Sequence, residues 1–359
     1  MKFLRLLLIG FVSLSFQVSY GQTTPTFNKD IAPIIYNHCT SCHRAGEIGP
    51  MPFTNYTEVA AWAPMIKFVT ETGYMPPWQP DPEFKNFRGE NFLTQSQIDL
   101  IGEWVNAGFP EGDPLNTPAP PIFPGGSQLG IPDLVLNFSE SYTHPGNNVD
   151  DYRVFVLPTG LTEDKQVTAV ELRPGNNNIV HHALFSWDST GTGAAKDAQT
   201  PEYGYTNFGG FGVPDAENHQ FPTYTPGQKP RFFPDGMGQT LPAGSDFLIQ
   251  MHYAPTPIAE TDSSVVNIFF ADEPIQREVQ HFVMTPFSSN LTNGPFIIPA
   301  NEVKTFHATF TTPIDVSLIS IFPHMHLLGV DWEVFAIHPN GDTTNLIRVP
   351  EWDFNWQGF

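Results

Sequence analysis

The chain has 359 residues and a formal net charge of −21, so it can form two or three domains but would repel the phosphate backbone of nucleic acids. It has only two cysteines, which excludes a disulfide-rich scaffold. Its 36 prolines and 29 glycines follow no period, which excludes collagen-like and long helical architectures.

Residues 1–21 have the features of an export signal. Lys2 and Arg5 form a basic start, and an apolar run follows from Leu6 to Phe16. This run is shorter than the roughly 20 residues that a membrane span needs. We therefore expect an exported protein, periplasmic or extracellular, with no membrane span and no nucleic-acid partner.

Residues 22–113 carry helical patterns. Thr94 is a candidate N-cap, and Gln97 follows it at capping-box spacing. Apolar residues then recur at helical spacing up to Val105. Residues 57–70 show a second helical pattern.

Cys39, Cys42 and His43 form a C-x-x-C-H sequence, the attachment motif of c-type haem. In this motif both thiols bond to the porphyrin and the histidine is the proximal iron ligand. A disulfide, a thioredoxin-like pair or half of a zinc site are the alternatives, but the adjacent histidine favours haem. Together with the helical patterns, the motif predicts a small all-α cytochrome c-like domain over residues 22–113.

A methionine thioether is a common distal ligand of such haems. Met75 lies far enough after His43 for a helix to return the chain to the other face of the iron, whereas Met51 is only eight residues away. We therefore predict Met75 as the distal ligand. Either methionine could instead fill a hydrophobic core.

A Pro-rich linker is predicted over residues 114–130, and short strands separated by turns follow it. Strands without intervening helices are typical of β-sandwiches. We expect one sandwich over residues 131–273 and a second over residues 274–359. The clearest strand patterns are Tyr152 to Leu157, Val167 to Leu172, Phe247 to His252, Val265 to Phe270, Phe306 to Phe310 and Val316 to Phe322.

Five histidines of this β region form three clusters: His181 with His182, His252, and His324 with His326. Residues i and i+2 of a strand share a face, so His324 and His326 can bind one metal ion directly. His181 and His182 need a bulge or a strand end to converge. The remaining histidines outside the haem motif are predicted to be surface or hydrogen-bonded core residues: His38, His144, His219, His281, His307 and His338.

The order of these clusters, together with residues 233–244 before His252, resembles the copper type II ascorbate-dependent monooxygenases. Peptidylglycine α-hydroxylating monooxygenase and dopamine β-hydroxylase belong to that family. The resemblance implies two jelly-roll-type sandwiches, each with one copper, facing each other across a solvent-filled cleft. It implies that His181, His182 and His252 bind an electron-storing copper. It also implies that His324 and His326 bind the catalytic copper that receives O₂.

Two features depart from the family pattern. The second copper of the family takes a methionine ligand well beyond the H-x-H motif, and this chain ends at Phe359 before such a residue. We therefore expect the second sandwich and its copper site to be incomplete. Phe322 stands where the peptide-amidating enzyme has an arginine that binds a peptide carboxylate, which disfavours a peptidylglycine substrate.

These patterns together predict an exported copper monooxygenase that hydroxylates a C–H bond of a small organic substrate with O₂. An ascorbate-like reductant or a redox protein would supply electrons, and the fused haem could relay them to the first copper. The alternative is a haem and copper protein that transfers electrons or sequesters copper without catalysis. A cytochrome fused to a carbohydrate-binding sandwich is a third possibility, in which the histidine clusters are coincidental.

Overall fold

The computed structural model describes residues 24–123, 126–285 and 290–354. The export signal predicted for residues 1–21 lies outside the described residues. Strands make up 24 % of the structure. Within the described ranges, no helix is both long and apolar enough to cross a membrane.

The helices are short. The α-helices of the described residues are α1 (Ala32–His38), α2 (Tyr56–Ala61), α3 (Ala63–Glu71), α4 (Gln95–Asn106) and α5 (Thr192–Asp197). A π-helical turn (Phe27–Ile31) precedes α1, and 3-10 turns lie at Pro114–Asn116 and Ala216–Asn218.

The predicted small all-α cytochrome c-like domain is wrong. The structure is mainly β with a few short helices, and the segment 24–116 has long irregular loops at 39–55 and 72–94. Prolines explain part of this, because proline cannot continue a helix interior. Pro64 lies in the first turn of α3, directly after the break from α2, and Pro76 and Pro77 follow α3. A small apolar cluster that includes Phe27, Ile35 and Trp104 packs these helices together.

The helix predicted from Thr94 onward is confirmed as α4. The Thr94 side chain accepts from the Gln97 amide, and the Gln97 side chain accepts from the Thr94 amide. This capping box satisfies amide groups that have no partner inside the helix. The pattern at residues 57–70 corresponds to two helices, because the chain breaks between α2 and α3 at Trp62.

Residues 134–278 form one β-sandwich with two minor strands. The strands are β1 (Leu134–Asn137), β2 (Tyr142–His144), β3 (Asp151–Pro158), β4 (Lys165–Arg173), β5 (Val180–Asp188), β6 (Tyr205–Thr206), β7 (Phe221–Tyr224), β8 (Met237–Leu241), β9 (Asp246–Tyr253), β10 (Glu260–Asp262), β11 (Val265–Phe270) and β12 (Arg277–Glu278). One sheet has the order β1-β11-β4-β8-β12 and the other β6-β3-β9-β5-β7, while β2 and β10 pair separately.

The core lies between the two sheets. Phe155, Phe185, Phe247 and Ile249 are among its fully buried side chains. Apolar side chains project alternately to the core face of each strand, which places polar neighbours on the other face. The four strands predicted between Tyr152 and Phe270 are confirmed as β3, β4, β9 and β11. Strand β12 pairs with β8, so the sandwich extends past the boundary predicted at residue 273.

The predicted second sandwich is also wrong. After β12, the described residues contain only β13 (Trp332–Ile337) and β14 (Thr343–Val349), which form a two-stranded antiparallel sheet. The predicted strands Phe306 to Phe310 and Val316 to Phe322 are irregular and mostly exposed, apart from an isolated bridge between Leu291 and Ala308. An extended segment needs neighbouring strands to pair its backbone and bury one face. Among the described residues, these two segments belong to no multi-stranded sheet.

Candidate metal centre

The first three histidines meet at adjacent strands of one sheet. His252 lies near the end of β9, the central strand, and its side chain is buried. His182 on β5 is its cross-strand partner, whereas Val180 pairs with Tyr253, so His181 is an extra residue between the two pairs. This irregularity is the bulge required for neighbouring histidines to converge.

The three side chains converge through their Nδ1 atoms. The Nδ1 atom of His182 lies 3.2 Å from Nδ1 of His181 and 3.3 Å from Nδ1 of His252. A tetrahedral ion bonded to two imidazole nitrogens at about 2.0 Å separates those nitrogens by about 3.3 Å. Three potential ligand atoms lie within 4.8 Å of one another. The geometry therefore fits a shared metal ion.

The environment keeps these imidazoles neutral. Burial, with a smaller contribution from the neighbouring His252, lowers the pKa of His181 to about 4. Burial also lowers the pKa values of His182 and His252. Neutral imidazole is the form that binds metals, so the three side chains are in the ligand state at neutral pH.

Asp150 and Tyr152 fix the orientation of His252. The Asp150 carboxylate accepts a hydrogen bond from Nε2 of His252 at 2.7 Å, and this leaves the Nδ1 lone pair for an ion. The Tyr152 ring stacks on the His252 ring at 4.2 Å. Neither residue was predicted from the sequence. Both depend on the cross-strand register of β3 and β9, which no local pattern reveals.

His181 is oriented by packing. The Phe354 ring stacks on its ring with centroids 4.9 Å apart. Its Nε2 atom is buried and has no hydrogen-bond partner within the described ranges. The third imidazole is therefore held by a ring contact and the bulge.

His324 and His326 lie beside this triad on an exposed irregular segment. Their ring centroids are 5.0 Å apart, and the His324 ring is 6.1 Å from the His182 ring. The resemblance implied a second sandwich with its own copper across a cleft. The structure instead gathers all five histidines into one cluster. Within this cluster, His324 and His326 are exposed to solvent.

The haem motif lies in the turn that follows α1. The amides of Cys42 and His43 both donate to the Cys39 carbonyl, at 3.1 and 2.9 Å. Nδ1 of His43 lies 3.1 Å from the Met51 carbonyl and, as a donor, leaves Nε2 free to bind iron. The Phe53 ring stacks on His43 at 4.5 Å.

The two cysteines form no disulfide with each other. Burial, with a smaller contribution from Cys42, raises the pKa of Cys39 to about 12. Burial likewise raises the pKa of Cys42. A protonated thiol is a poor metal ligand and a poor nucleophile for disulfide exchange.

Met75 is half-buried after α3, where its amide donates to the Val69 carbonyl at 3.0 Å. Its role as a distal ligand stays a prediction. Met51 packs against the apolar cluster of the N-terminal helices. Its carbonyl faces the Nδ1 side of His43, opposite to the nitrogen that would bind iron.

Comparison with known proteins finds no matching family model and no matching curated protein.

Proposed function

We propose that His181, His182 and His252 bind a copper ion, and that the protein is an exported copper monooxygenase acting on a small organic substrate. The convergence of three neutral imidazoles through Nδ1 atoms 3.2 and 3.3 Å apart carries this proposal. Imidazole is a preferred ligand of copper. Two nitrogen lone pairs at such distances repel each other unless a proton or a cation lies between them.

His324 and His326 would bind the second copper, the one that receives O₂. His324 and His326 are exposed beside the triad, where O₂ and a substrate have access. They supply two nitrogen ligands, which leaves coordination positions open for small molecules. When bound, copper supplies one-electron redox chemistry and O₂ activation. The half-buried Phe322 offers an apolar surface two residues before His324, which suits an uncharged substrate better than a peptide carboxylate.

We also propose that Cys39 and Cys42 attach a c-type haem with His43 as its proximal ligand. Support comes from the motif, the absence of a disulfide between the thiols, and the His43 contact with the Met51 carbonyl. This attachment does not require a cytochrome c fold, since the motif is local. Met75 is the proposed distal ligand.

Metal analysis of the full chain tests the copper assignment. The purified protein, loaded with Cu(II) and dialysed, is expected to retain copper, and His252→Ala is expected to retain less. The matched control is His338→Ala, because His338 is exposed in the turn between β13 and β14. Equal copper contents in the wild type and His252→Ala would contradict the triad as the binding site.

The second candidate is an electron-transfer or copper-binding protein without catalysis. The exposed, irregular segment that carries His324 and His326 favours it, because a catalytic metal site is usually built on rigid elements. Oxygen consumption separates the two functions. The monooxygenase consumes O₂ in the presence of reductant and a substrate from a panel of aliphatic and benzylic compounds. The alternative predicts bound copper and haem without substrate-dependent O₂ consumption.

A further inference from the structure

The ring of Phe354 contacts both groups of histidines in the cluster. It stacks on His181 of the triad, with ring centroids 4.9 Å apart and an interplanar angle of 21°. It also stacks on His326, with centroids 6.0 Å apart and an angle of 23°. One aromatic side chain therefore lies against a member of each proposed copper-binding group, the triad and the H-x-H pair.

A second row of rings connects His326 to the triad. Tyr152 on β3 stacks on His252 at 4.2 Å, and the Phe208 ring meets the Tyr152 ring edge to face at 4.9 Å. The Phe208 ring in turn lies 6.3 Å from the His326 ring. His326 thus has two aromatic neighbours, Phe354 and Phe208, and each links it to a different histidine of the triad.

The segment that carries Phe354 is anchored to the segment that carries His326. The Trp352 amide donates to the Val330 carbonyl at 2.8 Å, and the Gly329 amide donates to the His326 carbonyl at 2.9 Å. Trp352 also packs closely on this turn, because a Cβ atom at residue 329 would lie 2.8 Å from its Cδ1 atom. These contacts fix the backbone before Phe354 to the backbone that follows the H-x-H pair.

Such anchoring matters more for the H-x-H pair than for the triad. His182 and His252 lie on paired strands of one sheet, whereas His324 and His326 lie on an exposed segment without regular structure. A metal ion that binds side chains of such a segment must order them, and the lost conformational entropy weakens binding. Contacts that hold an imidazole in place before the ion arrives reduce this penalty.

We propose that Phe354 and Phe208 are positioning residues of the copper centre, and that they hold His326 beside the triad before copper binds. This inference rests on the proposed copper sites. Neither ring offers a ligand atom to a metal ion, so both residues act through the histidines. Because Phe354 also packs on His181, it orients one ligand in each group, whereas Phe208 reaches the triad through Tyr152.

The shared ring predicts that a single substitution alters both copper sites. Removal of the Phe354 ring takes a stacking partner from His181 and from His326 together. An aromatic contact of this kind changes an equilibrium by about 2- to 10-fold. We therefore expect Phe354→Leu to weaken the binding of copper to the H-x-H pair by about 2- to 10-fold, and to change the environment of the copper on the triad.

Stepwise loading of the full-length protein with Cu(II), in competition with a chelator of known affinity, tests the first of these effects. The wild type is expected to bind two copper ions. Phe354→Leu and Phe208→Leu are each expected to weaken the binding of the second ion, and Phe354→Tyr to restore it, because tyrosine keeps the ring. Phe335→Leu is the matched control, because Phe335 is 47 % exposed on β13.

The electron paramagnetic resonance spectrum of Cu(II) on the triad tests the second effect. A protein with His324→Ala and His326→Ala lacks the H-x-H pair, so its remaining copper reports on the triad. In this protein, Phe354→Leu is expected to change the spectrum, because His181 loses its stacking partner, and Phe354→Tyr to preserve it. A role in folding alone would leave the spectrum of the bound copper unchanged.

Losses of affinity in Phe354→Leu and Phe208→Leu no larger than that in Phe335→Leu would overturn the proposal. An unchanged triad spectrum in Phe354→Leu would overturn the shared role of that ring. If Phe354→Leu does not fold by circular dichroism, Phe208→Leu decides the question, because Phe208 is 68 % exposed. Wild-type protein that binds fewer than two copper ions would refute the proposed copper sites themselves, whereas two bound ions with unchanged affinities would refute only the positioning.

Discussion

Asp150 determines which nitrogen of His252 is available to a metal ion. Its carboxylate lies 2.7 Å from Nε2, and the side chain of His252 is buried. A carboxylate that accepts a hydrogen bond from Nε2 of a ligating histidine keeps the proton on that nitrogen. It thereby makes Nδ1 a stronger ligand for the metal ion. Sequence patterns identify His252 as a candidate ligand, but they do not identify Asp150, which precedes β3 and meets β9 only in the folded sheet.

We expect Asp150→Asn to weaken copper binding by about 10- to 100-fold, the usual effect of losing such a carboxylate. An amide cannot hold the Nε2 proton with a charge-assisted hydrogen bond. Competition with a chelator of known affinity measures the change. Asp215→Asn is the matched control, because Asp215 lies 3.5 Å from His219, a histidine outside the cluster. Equal affinities for both variants would show that Asp150 does not support the ligand.

At the scale of elements, the sandwich strands are predictable and their partners are not. Alternating apolar residues in Phe247 to His252 predict a strand, and β9 confirms it. The same kind of pattern in Val316 to Phe322 predicts a strand that is absent. The difference is context. Strand β9 lies between β3 and β5, whereas the described part of the chain assigns residues 316–322 to no strand of a sheet.

The contribution of β9 to the stability of the sandwich can be tested at a buried residue of this strand. Ile249 is fully buried between the sheets, and we expect Ile249→Ala to reduce the free energy of unfolding by about 2–5 kcal/mol, because it removes buried methyl groups and leaves a cavity. Denaturant unfolding of the copper-free protein measures this loss. The control is Ile337→Ala on β13, where the side chain is 69 % exposed. A loss below that of the control would mean that β9 is not part of the stabilising core.

At the scale of the whole molecule, the N-terminal segment contacts both the sandwich and the C-terminal β13–β14 sheet. Glu47 pairs with Arg173 on β4 at 3.1 Å, and Asp81 pairs with Arg348 on β14. The helical pattern predicts α4 correctly, and the haem attachment at the C-x-x-C-H motif stays a prediction. They do not predict its packing, because each contact joins residues far apart in the sequence.

Ile48 of the haem-motif loop and His181 of the triad line the same small cavity, so the redox states of the two proposed sites should be linked in time. After reduced protein is mixed with O₂, the reduced-haem absorbance is expected to disappear in the same kinetic phase as the Cu(II) signal returns. In His252→Ala, which weakens the copper site but leaves the haem motif intact, the absorbance should persist longer. Stopped-flow absorbance and freeze-quench paramagnetic resonance measure the two signals.

Haem that stays reduced in the wild type while Cu(II) returns would contradict an electron path between the two sites. Equal rates of haem oxidation in both proteins would show that oxygen reacts with the haem without the triad.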